Sequence, residues 1–202
     1  MNPPSFLVRH LKTLMASCST LAFLITLLIS SAAAAAASTH PAIPSLIHRA
    51  CSQTASNLQK LCISSLSAEP PSANADLRLL SIIAVRIAAN NASQTAAYLS
   101  AQQTDAAASA AVDPMLYQCV ADCTDLYVDV AEQLDVTTAA IDDEADKDAM
   151  IWLNAAMADV ISCEKGCGAV ATAEIRRRND GAKNLLNITI SFTKLLMAPK
   201  GL

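Results

Sequence analysis

Apolar residues recur at steps of three and four along most of the chain between residues 74 and 198. This spacing places them on one face of an α-helix. The clearest such stripe consists of Leu116, Cys119/Val120, Cys123, Leu126/Tyr127, Val130, Leu134 and Ile141. Three similar stripes consist of Leu77, Leu80, Ile83 and Ile87, of Trp152/Leu153, Ala156, Val160, Cys163, Cys167 and Val170, and of Leu185, Ile188, Phe192 and Leu195/Leu196. The pattern therefore predicts four long amphipathic helices.

Capping residues indicate where the first two helices begin. The first is expected to start near Asn74 or Asp76 and to reach about Ala101. The second is expected to start at Pro114, because proline loses no hydrogen bond at the first helical position and Asp113 can cap the amides of the first helical turn. Proline is absent from the rest of both helices, which agrees with its exclusion from helix interiors.

The other two helices follow an acidic connector, residues 142–148. A calcium loop would need a glycine at its sharp turn, which is missing here, so the carboxylates are expected to complement the dipole of the next helix. The third helix is predicted from about Asp148, and Asn179 or Asp180 is predicted to cap the fourth. Short connections favour antiparallel neighbours, so the predicted fold is all-α: an up-and-down four-helix bundle, about 74–198, preceded by a helical hairpin, about 43–66.

The first 37 residues have the order of a cleavable secretory signal. Basic residues from Arg9 to Lys12 precede an apolar run from Leu14 to Ile29, and small residues from Ala32 to Ala37 follow. A membrane anchor is the alternative, but the apolar run is shorter than the ~20 residues that span a bilayer. We therefore expect a signal peptide at 1–37, a secreted domain at 38–202, and no membrane association after cleavage.

The charge of the chain argues against nucleic-acid binding. The formal net charge is −4 and becomes more negative when Arg9 and Lys12 leave with the signal. Nucleic-acid binding needs basic patches that neutralise phosphates. The run Arg176–Arg178 is the local exception, and we interpret it as a solvated helix face or a complement to the helix dipole.

Seven cysteines are the most informative residues, and Cys18 lies in the predicted signal. An even number remains for an oxidising compartment, which predicts disulfides. These are Cys51, Cys62, Cys119, Cys123, Cys163 and Cys167.

The spacing of the last four cysteines restricts their pairing. Cysteines four residues apart lie one turn apart on a single helix face. In antiparallel helices, residues at the same height have residue numbers with a constant sum, and two pairs share one sum: Cys119 with Cys167, and Cys123 with Cys163. Cys51 and Cys62 are left as a local bridge. A zinc site of four thiolates is the alternative, although such sites usually use cysteines at a closer spacing.

No catalytic or cofactor motif is found in the sequence. The histidines, His10, His40 and His48, precede the bundle, and the chain contains no nucleophile elbow, no metalloprotease motif and no glycine-rich phosphate loop. The sequence therefore predicts a protein that is not an enzyme and that has no metal site and no cofactor.

Five segments together resemble the plant invertase and pectin methylesterase inhibitor family. They are Ile47–Thr54 with the following Cys62, Asp76–Thr95, Asp122–Tyr127, Trp152–Glu164, and Arg178–Asn179 running into Leu185 and Leu186. The resemblance covers the whole predicted mature chain. It implies a four-helix bundle with an N-terminal hairpin, secretion to the cell wall or apoplast, and the bridges Cys51–Cys62 and Cys123–Cys163. Cys119 and Cys167 depart from the family pattern together, which favours a third bridge between them.

The resemblance also implies the function. The expected activity is one-to-one inhibition of a pectin methylesterase by covering its active-site cleft, and the alternative target is a cell-wall or vacuolar acid invertase. The pectin methylesterase is favoured because the chain lacks a Pro-Lys-Phe tripeptide that some invertase inhibitors present to their enzyme. A structural or signalling protein that kept the bundle without inhibiting an enzyme is a further alternative.

Two kinds of surface site are expected. An acidic stripe on the second helix is the candidate partner contact and consists of Asp122, Asp125, Asp129 and Glu132, although a merely solvated helix face would have the same pattern. Two sequons, at Asn91 and Asn187, permit glycosylation in a secreted chain. Asn91 is favoured, because Asn187 lies between apolar residues.

Overall fold

The computed structural model describes residues 46–109 and 113–198, with the backbone alone for 104–109. The α-helices are α1 Leu46–Cys51, α2 Gln59–Ser67, α3 Leu77–Ser109, α4 Pro114–Asp142, α5 Asp146–Cys167 and α6 Ala173–Met197. Two short 3-10 helices, Pro70–Asn74 and Gly168–Val170, precede α3 and follow α5. These elements confirm the predicted all-α fold, while the predicted signal peptide and residues 43–45 of the predicted hairpin lie outside the described residues.

Aspartate side chains begin α3 and α4. The Asp113 carboxylate accepts a hydrogen bond from the amide of Leu116 at 2.9 Å, and Pro114 occupies the first turn, which confirms the predicted start of α4. The Asp76 carboxylate accepts from the amide of Leu79 at 2.8 Å, so α3 begins one residue later, at Leu77. Its predicted end near Ala101 was wrong, since α3 extends to Ser109.

The predicted start of the last helix was also wrong. Thr172 caps α6 by accepting a hydrogen bond from the amide of Ile175 at 3.2 Å, seven or eight residues before the predicted cap at Asn179 or Asp180. Gly168 adopts a positive φ of 48° that ends α5 and lets the chain reverse before Thr172. Asn179 is only 2% exposed within α6, so its polar side chain serves the core and not a helix end.

The four long helices form one bundle. α3 packs against α4 and α6, and α5 packs against the same two helices, so α4 and α6 lie diagonally opposite each other. The main core lies along the bundle axis, and its largest fully buried side chains include Tyr127, Leu134, Leu153, Val160 and Leu186.

A second core attaches the hairpin to one end of the bundle. The Cys51–Cys62 bridge joins α1 to the start of α2, with Cα atoms 5.7 Å apart. Leu58 and Leu66 of the hairpin region belong to the same buried cluster as Phe192 of α6. The hairpin is therefore part of the packed fold.

The connection between α4 and α5 is fixed by Arg78 of α3. Its guanidinium contacts the Asp146 carboxylate at 2.8 and 3.1 Å and also donates to the carbonyl of Ile141. The hydrogen bond to Asp146 is the main cause of a raised pKa for Arg78. Asp146 also lies in the first turn of α5, which begins two residues before the predicted Asp148. The acidic connector therefore ties three helices together.

Among the described helices, none combines the length and the apolar character needed to cross a bilayer. The predicted signal segment is not part of that comparison.

Candidate functional site

Two disulfide bridges join α4 to α5 near one end of the bundle. The bridge Cys119–Cys167, here named the outer bridge, has an S–S distance of 2.05 Å and a Cα separation of 4.8 Å. The bridge Cys123–Cys163, the inner bridge, has the same S–S distance and a Cα separation of 4.9 Å. The structure thus brings together the pairs that lie at equal height on antiparallel helices. Such short Cα separations require the helices to be direct neighbours.

The two bridges contact each other. The Sγ atoms of Cys123 and Cys167 are 3.3 Å apart, and those of Cys119, Cys123 and Cys167 all lie within 4.8 Å of one another. All four cysteines are at most 3% exposed. Zinc is bound by thiolates, so a site of the kind considered from the sequence would require both bridges to be reduced.

Behind the inner bridge lies a polar pair that joins α4 to α6. The Tyr127 hydroxyl donates to Asn179 Oδ1 at 2.8 Å, and that oxygen is also 3.5 Å from Cys163 Sγ. Tyr127 is 0% exposed, and its burial is the main cause of a raised pKa for the hydroxyl. The sequence contained a signal that we misinterpreted: Asn179 continues the apolar positions Ile175, Ala182 and Leu186 at helical spacing.

This pair gives a first prediction. Tyr127→Phe is expected to lower the free energy of unfolding by about 1–3 kcal/mol, because Asn179 Oδ1 loses its hydroxyl donor in a buried site. Denaturant unfolding would measure it. The matched control is Tyr117→Phe on the same helix. Tyr117 is half-buried and its hydroxyl makes no hydrogen bond to the described residues, so its loss should cost less than about 0.5 kcal/mol. Equal costs for the two variants would contradict the assigned role of Tyr127.

The acidic stripe lies on the solvent side of α4. All four of its residues, Asp122, Asp125, Asp129 and Glu132, are exposed. Helix α4 carries no lysine or arginine, and among the described residues no ion pair involves the stripe. Asp122 accepts a hydrogen bond from Gln118 at 2.6 Å, which leaves its charge uncompensated. The four carboxylates of the stripe are therefore exposed negative charges with no cationic partner among the described residues.

A groove between α4 and α5 runs beside this stripe. It has a volume of about 370 Å³, and the two bridges form part of its lining. Asp122 and Asp125 line it from α4, and Ser162 and Gly166 line it from α5. A Cβ added at Gly166 would meet no atom within 4 Å, so the groove is open at this point.

Apolar side chains are also exposed on α4 and α5. Val128 and Val136 are 44% and 43% exposed on α4, and Ile151 is 64% exposed on α5. Trp152 is 39% exposed, so its placement with Leu153 on the core stripe was wrong, since Leu153 alone is fully buried there. The exposed surface of the two bridged helices thus combines negative charge with apolar contact area, a combination that suits a protein partner.

The diagonally opposite helix, α6, carries the arginine run. Arg177 and Arg178 both pair with Glu174, at 2.7 and 2.8 Å, and Arg178 also lies over the Tyr98 ring at 4.1 Å. The run lies in the first turns of α6, where positive charge opposes the helix dipole, so Glu174 compensates for it. The interpretation of Arg176–Arg178 as a dipole complement was therefore wrong. Arg176 and Arg177 are exposed, as expected for the alternative interpretation of a solvated helix face, and the acidic stripe lies on the opposite face of the bundle.

The two sequons differ in exposure. Asn187 is exposed on α6, whereas Asn91 is half-buried in the middle of α3 and its side-chain oxygen is buried. The sequence analysis favoured Asn91 because Asn187 lies between apolar residues, but Asn187 is the more exposed of the two asparagines. Its side chain is therefore the better placed for a glycan.

Comparison with known proteins identifies the family. The model of the family described as plant invertase/pectin methylesterase inhibitor matches residues 45–192. The cell wall / vacuolar inhibitor of fructosidase 2 from Arabidopsis thaliana is 28% identical over 174 residues, which are 84% of this chain and 93% of the relative. A putative invertase inhibitor from Platanus orientalis is 27% identical over 68% of this chain and 79% of its own length.

Solved structures share the fold. The crystal structure of a pectin methylesterase inhibitor from Arabidopsis thaliana matches 79% of this chain and all of its own, with a TM-score of 0.56 and 17% identity. A mutant form of an Arabidopsis pectin methylesterase inhibitor gives a TM-score of 0.59 at 18% identity, over 75% of this chain and 95% of its own. The family consists of enzyme inhibitors, in agreement with the lack of catalytic motifs in the sequence. The protein belongs to the plant invertase/pectin methylesterase inhibitor family and is not itself an enzyme.

Proposed function

We propose that the protein is a secreted inhibitor of a plant acid invertase, which it blocks by forming a one-to-one complex over the active-site cleft. The observation that carries this choice of target is the similarity, over 84% of the chain, to a cell wall / vacuolar inhibitor of fructosidase. The structural neighbours are pectin methylesterase inhibitors, but at 17–18% identity they support the fold and not the target. This reverses the preference for pectin methylesterase that the sequence suggested.

We assign the contact surface to the exposed side of α4 and α5. The two bridges join α4 to its neighbour α5, and the Tyr127–Asn179 hydrogen bond joins it to α6 across the core. A rigid surface binds with less loss of conformational freedom, so more of the contact energy remains as affinity. Exposed Val128, Val136 and Ile151 provide apolar area, while the acidic stripe orients the approach to a positively charged cleft rim.

A paired titration tests the choice of target. The oxidised protein, purified after secretion from a eukaryotic host, would be added to a cell-wall invertase and to a pectin methylesterase at mildly acidic pH. We expect invertase activity to fall to a plateau near one equivalent of protein, with the esterase unaffected. Inhibition of the esterase alone would replace the proposed target with the one that the sequence suggested. No effect on several isoforms of either enzyme would leave a structural or signalling bundle as the function.

Neutralising the acidic stripe tests the contact surface. We expect the association rate with the inhibited enzyme to fall about tenfold at low salt, and the difference to shrink as ionic strength rises, because long-range attraction between exposed charges is screened. The stripe variant combines Asp122→Asn, Asp125→Asn, Asp129→Asn and Glu132→Gln. The control removes the same number of charges around the α4–α5 turn and combines Asp142→Asn, Asp143→Asn, Glu144→Gln and Asp148→Asn.

Stopped-flow fluorescence or surface plasmon resonance at several salt concentrations would give these rates. The control variant should bind within about threefold of the unchanged protein, since its charges lie around the α4–α5 turn, away from the acidic stripe. Equal losses in both variants would mean that net charge alone, and not the stripe, governs the encounter.

A further inference from the structure

We propose that the outer and inner bridges form a disulfide relay, in which opening the outer bridge lets Cys167 attack Cys123 and produces the alternative bridge Cys123–Cys167. The observation behind this proposal is the 3.3 Å separation of the Cys123 and Cys167 sulfur atoms, which belong to different bridges. Thiol–disulfide exchange proceeds by attack of a thiolate on a disulfide sulfur, so the attacking atom and its target are already neighbours.

Helix geometry explains why this pair, and not the other one, is close. Every Cα–Cβ bond of an α-helix tilts toward the N-terminus of its helix. Because α4 and α5 are antiparallel, the side chains of Cys123 and Cys167 tilt toward each other, while those of Cys119 and Cys163 tilt apart. Exchange within the four cysteines is therefore directional: Cys123–Cys167 is the alternative bridge that the two helices permit.

The groove gives a small thiol access to these sulfur atoms. All four cysteines line it, and it is open beside Gly166. The outer bridge is the more approachable of the two because it lies nearer the helix ends: Cys119 is in the second turn of α4 and Cys167 is the last residue of α5, whereas the inner bridge lies one turn further in. An external monothiol of the glutathione class would therefore attack the outer bridge first.

The chemistry balances with two such thiols. The first thiolate attacks Cys119 Sγ, forms a mixed disulfide there and releases the Cys167 thiolate. Cys167 then attacks Cys123 Sγ, which forms Cys123–Cys167, breaks the inner bridge and releases the Cys163 thiolate to take up a proton from water. A second external thiol attacks the external sulfur of the mixed disulfide, which frees Cys119 and yields the external disulfide. Two external thiols are oxidised, one protein disulfide is reduced, and α4 remains linked to α5.

The relay therefore predicts that one equivalent of reduction leaves two isomers, each with one bridge between α4 and α5. The bridges Cys123–Cys163 and Cys123–Cys167 span 40 and 44 residues. Since the entropy of loop closure depends only weakly on length, loop closure by itself favours neither isomer. The contact surface would then keep its cross-link through a mild reduction.

Paired double variants test the geometry directly. Cys119→Ala with Cys163→Ala leaves Cys123 and Cys167, which we expect to form an intramolecular disulfide with no free thiol by intact mass. Cys123→Ala with Cys167→Ala leaves the two cysteines that tilt apart, and we expect both to remain reactive thiols. Circular dichroism would establish equal helix content in both variants. If Cys123 and Cys167 both remained free thiols in the folded first variant, the proposal would be overturned.

Limited reduction of the unchanged protein tests the relay itself and does not depend on the folding of any variant. The secreted protein would be treated with reduced glutathione, trapped with N-ethylmaleimide and mapped without further reduction. The proposal expects peptides linked through Cys123 and Cys167, with alkylated Cys119 and Cys163. Alkylation confined to Cys119 and Cys167, with only the original inner bridge remaining, would overturn it. Neither measurement involves a target enzyme, so failure of the relay is distinguishable from failure of the proposed inhibitory function.

Discussion

Removing both bridges between α4 and α5 is expected to lower the free energy of unfolding by about 6 kcal/mol, whereas removing either bridge alone should cost only about 2 kcal/mol. The difference arises because the two loops are nested. Either bridge by itself closes a long loop, of 48 residues for the outer bridge and 40 for the inner one, which contributes about 4 kcal/mol. Once that loop is closed, the other bridge closes only a ring of about eight residues and contributes less.

Three alanine variants would measure this effect by denaturant unfolding. The first lacks Cys119 and Cys167, the second lacks Cys123 and Cys163, and the third lacks all four. A loss of about 6 kcal/mol approaches the whole stability of many single domains, so the third variant should be at the edge of folding. The Cys51–Cys62 bridge, retained in all three, serves as an internal control for correct oxidation. Costs that simply add, with each bridge contributing half of the total, would contradict the nested-loop explanation.

The second large effect is expected at Phe192. Phe192→Ala should lower the free energy of unfolding by about 3–5 kcal/mol, because the ring is 0% exposed and its removal leaves a cavity in the second core. That core also contains Leu58 and Leu66 from the hairpin region. The hairpin should therefore lose protection before the bundle does, since its buried contacts with α6 pass through this cluster.

Hydrogen exchange would locate this loss. Amides of α1 and α2 should exchange faster in Phe192→Ala, while amides in the centre of α4 and α5 should change only by the amount of the global destabilisation. Leu153→Ala is the matched control, since Leu153 is also 0% exposed but belongs to the main core, and its cost should be about 2–5 kcal/mol. If both variants left the hairpin equally protected, Phe192 would not be the residue that attaches it.

The order of the elements and the pairing of the bundle cysteines followed from local rules. The cap at Asp113 and the proline after it set the start of α4 independently of any contact with another helix. The pairs Cys119–Cys167 and Cys123–Cys163 required only that two helices of known spacing run antiparallel, and the structure places those sulfur atoms together. The first inference depends on helix capping and the second on helical periodicity, and both act within a few residues of the chain.

Local rules did not predict which side chains are buried. The polar residue Asn179 lies in a sequence that is typical of a helix cap, yet it is 2% exposed because a hydroxyl from α4 reaches it across the bundle. Trp152 is the largest apolar residue of its helix, yet it remains 39% exposed because smaller Leu153 and Ala156 fit the space between α5 and its neighbours. Whether a polar side chain finds a buried hydrogen-bond partner, or an apolar one finds space in the core, depends on residues that are distant in sequence. Only the packing of the helices brings those residues together.

The sequence by itself determined the helices, the antiparallel order implied by short connections, and the positions at which cysteines could meet. The tertiary structure decided which polar groups are buried, which sequon is exposed, and that two sulfur atoms of different bridges approach to 3.3 Å. The physical reason is the distance along the chain over which each interaction acts. Periodicity and capping act within a few residues of the chain, whereas burial and sulfur–sulfur contact arise from the fit between helices that the sequence joins through distant turns.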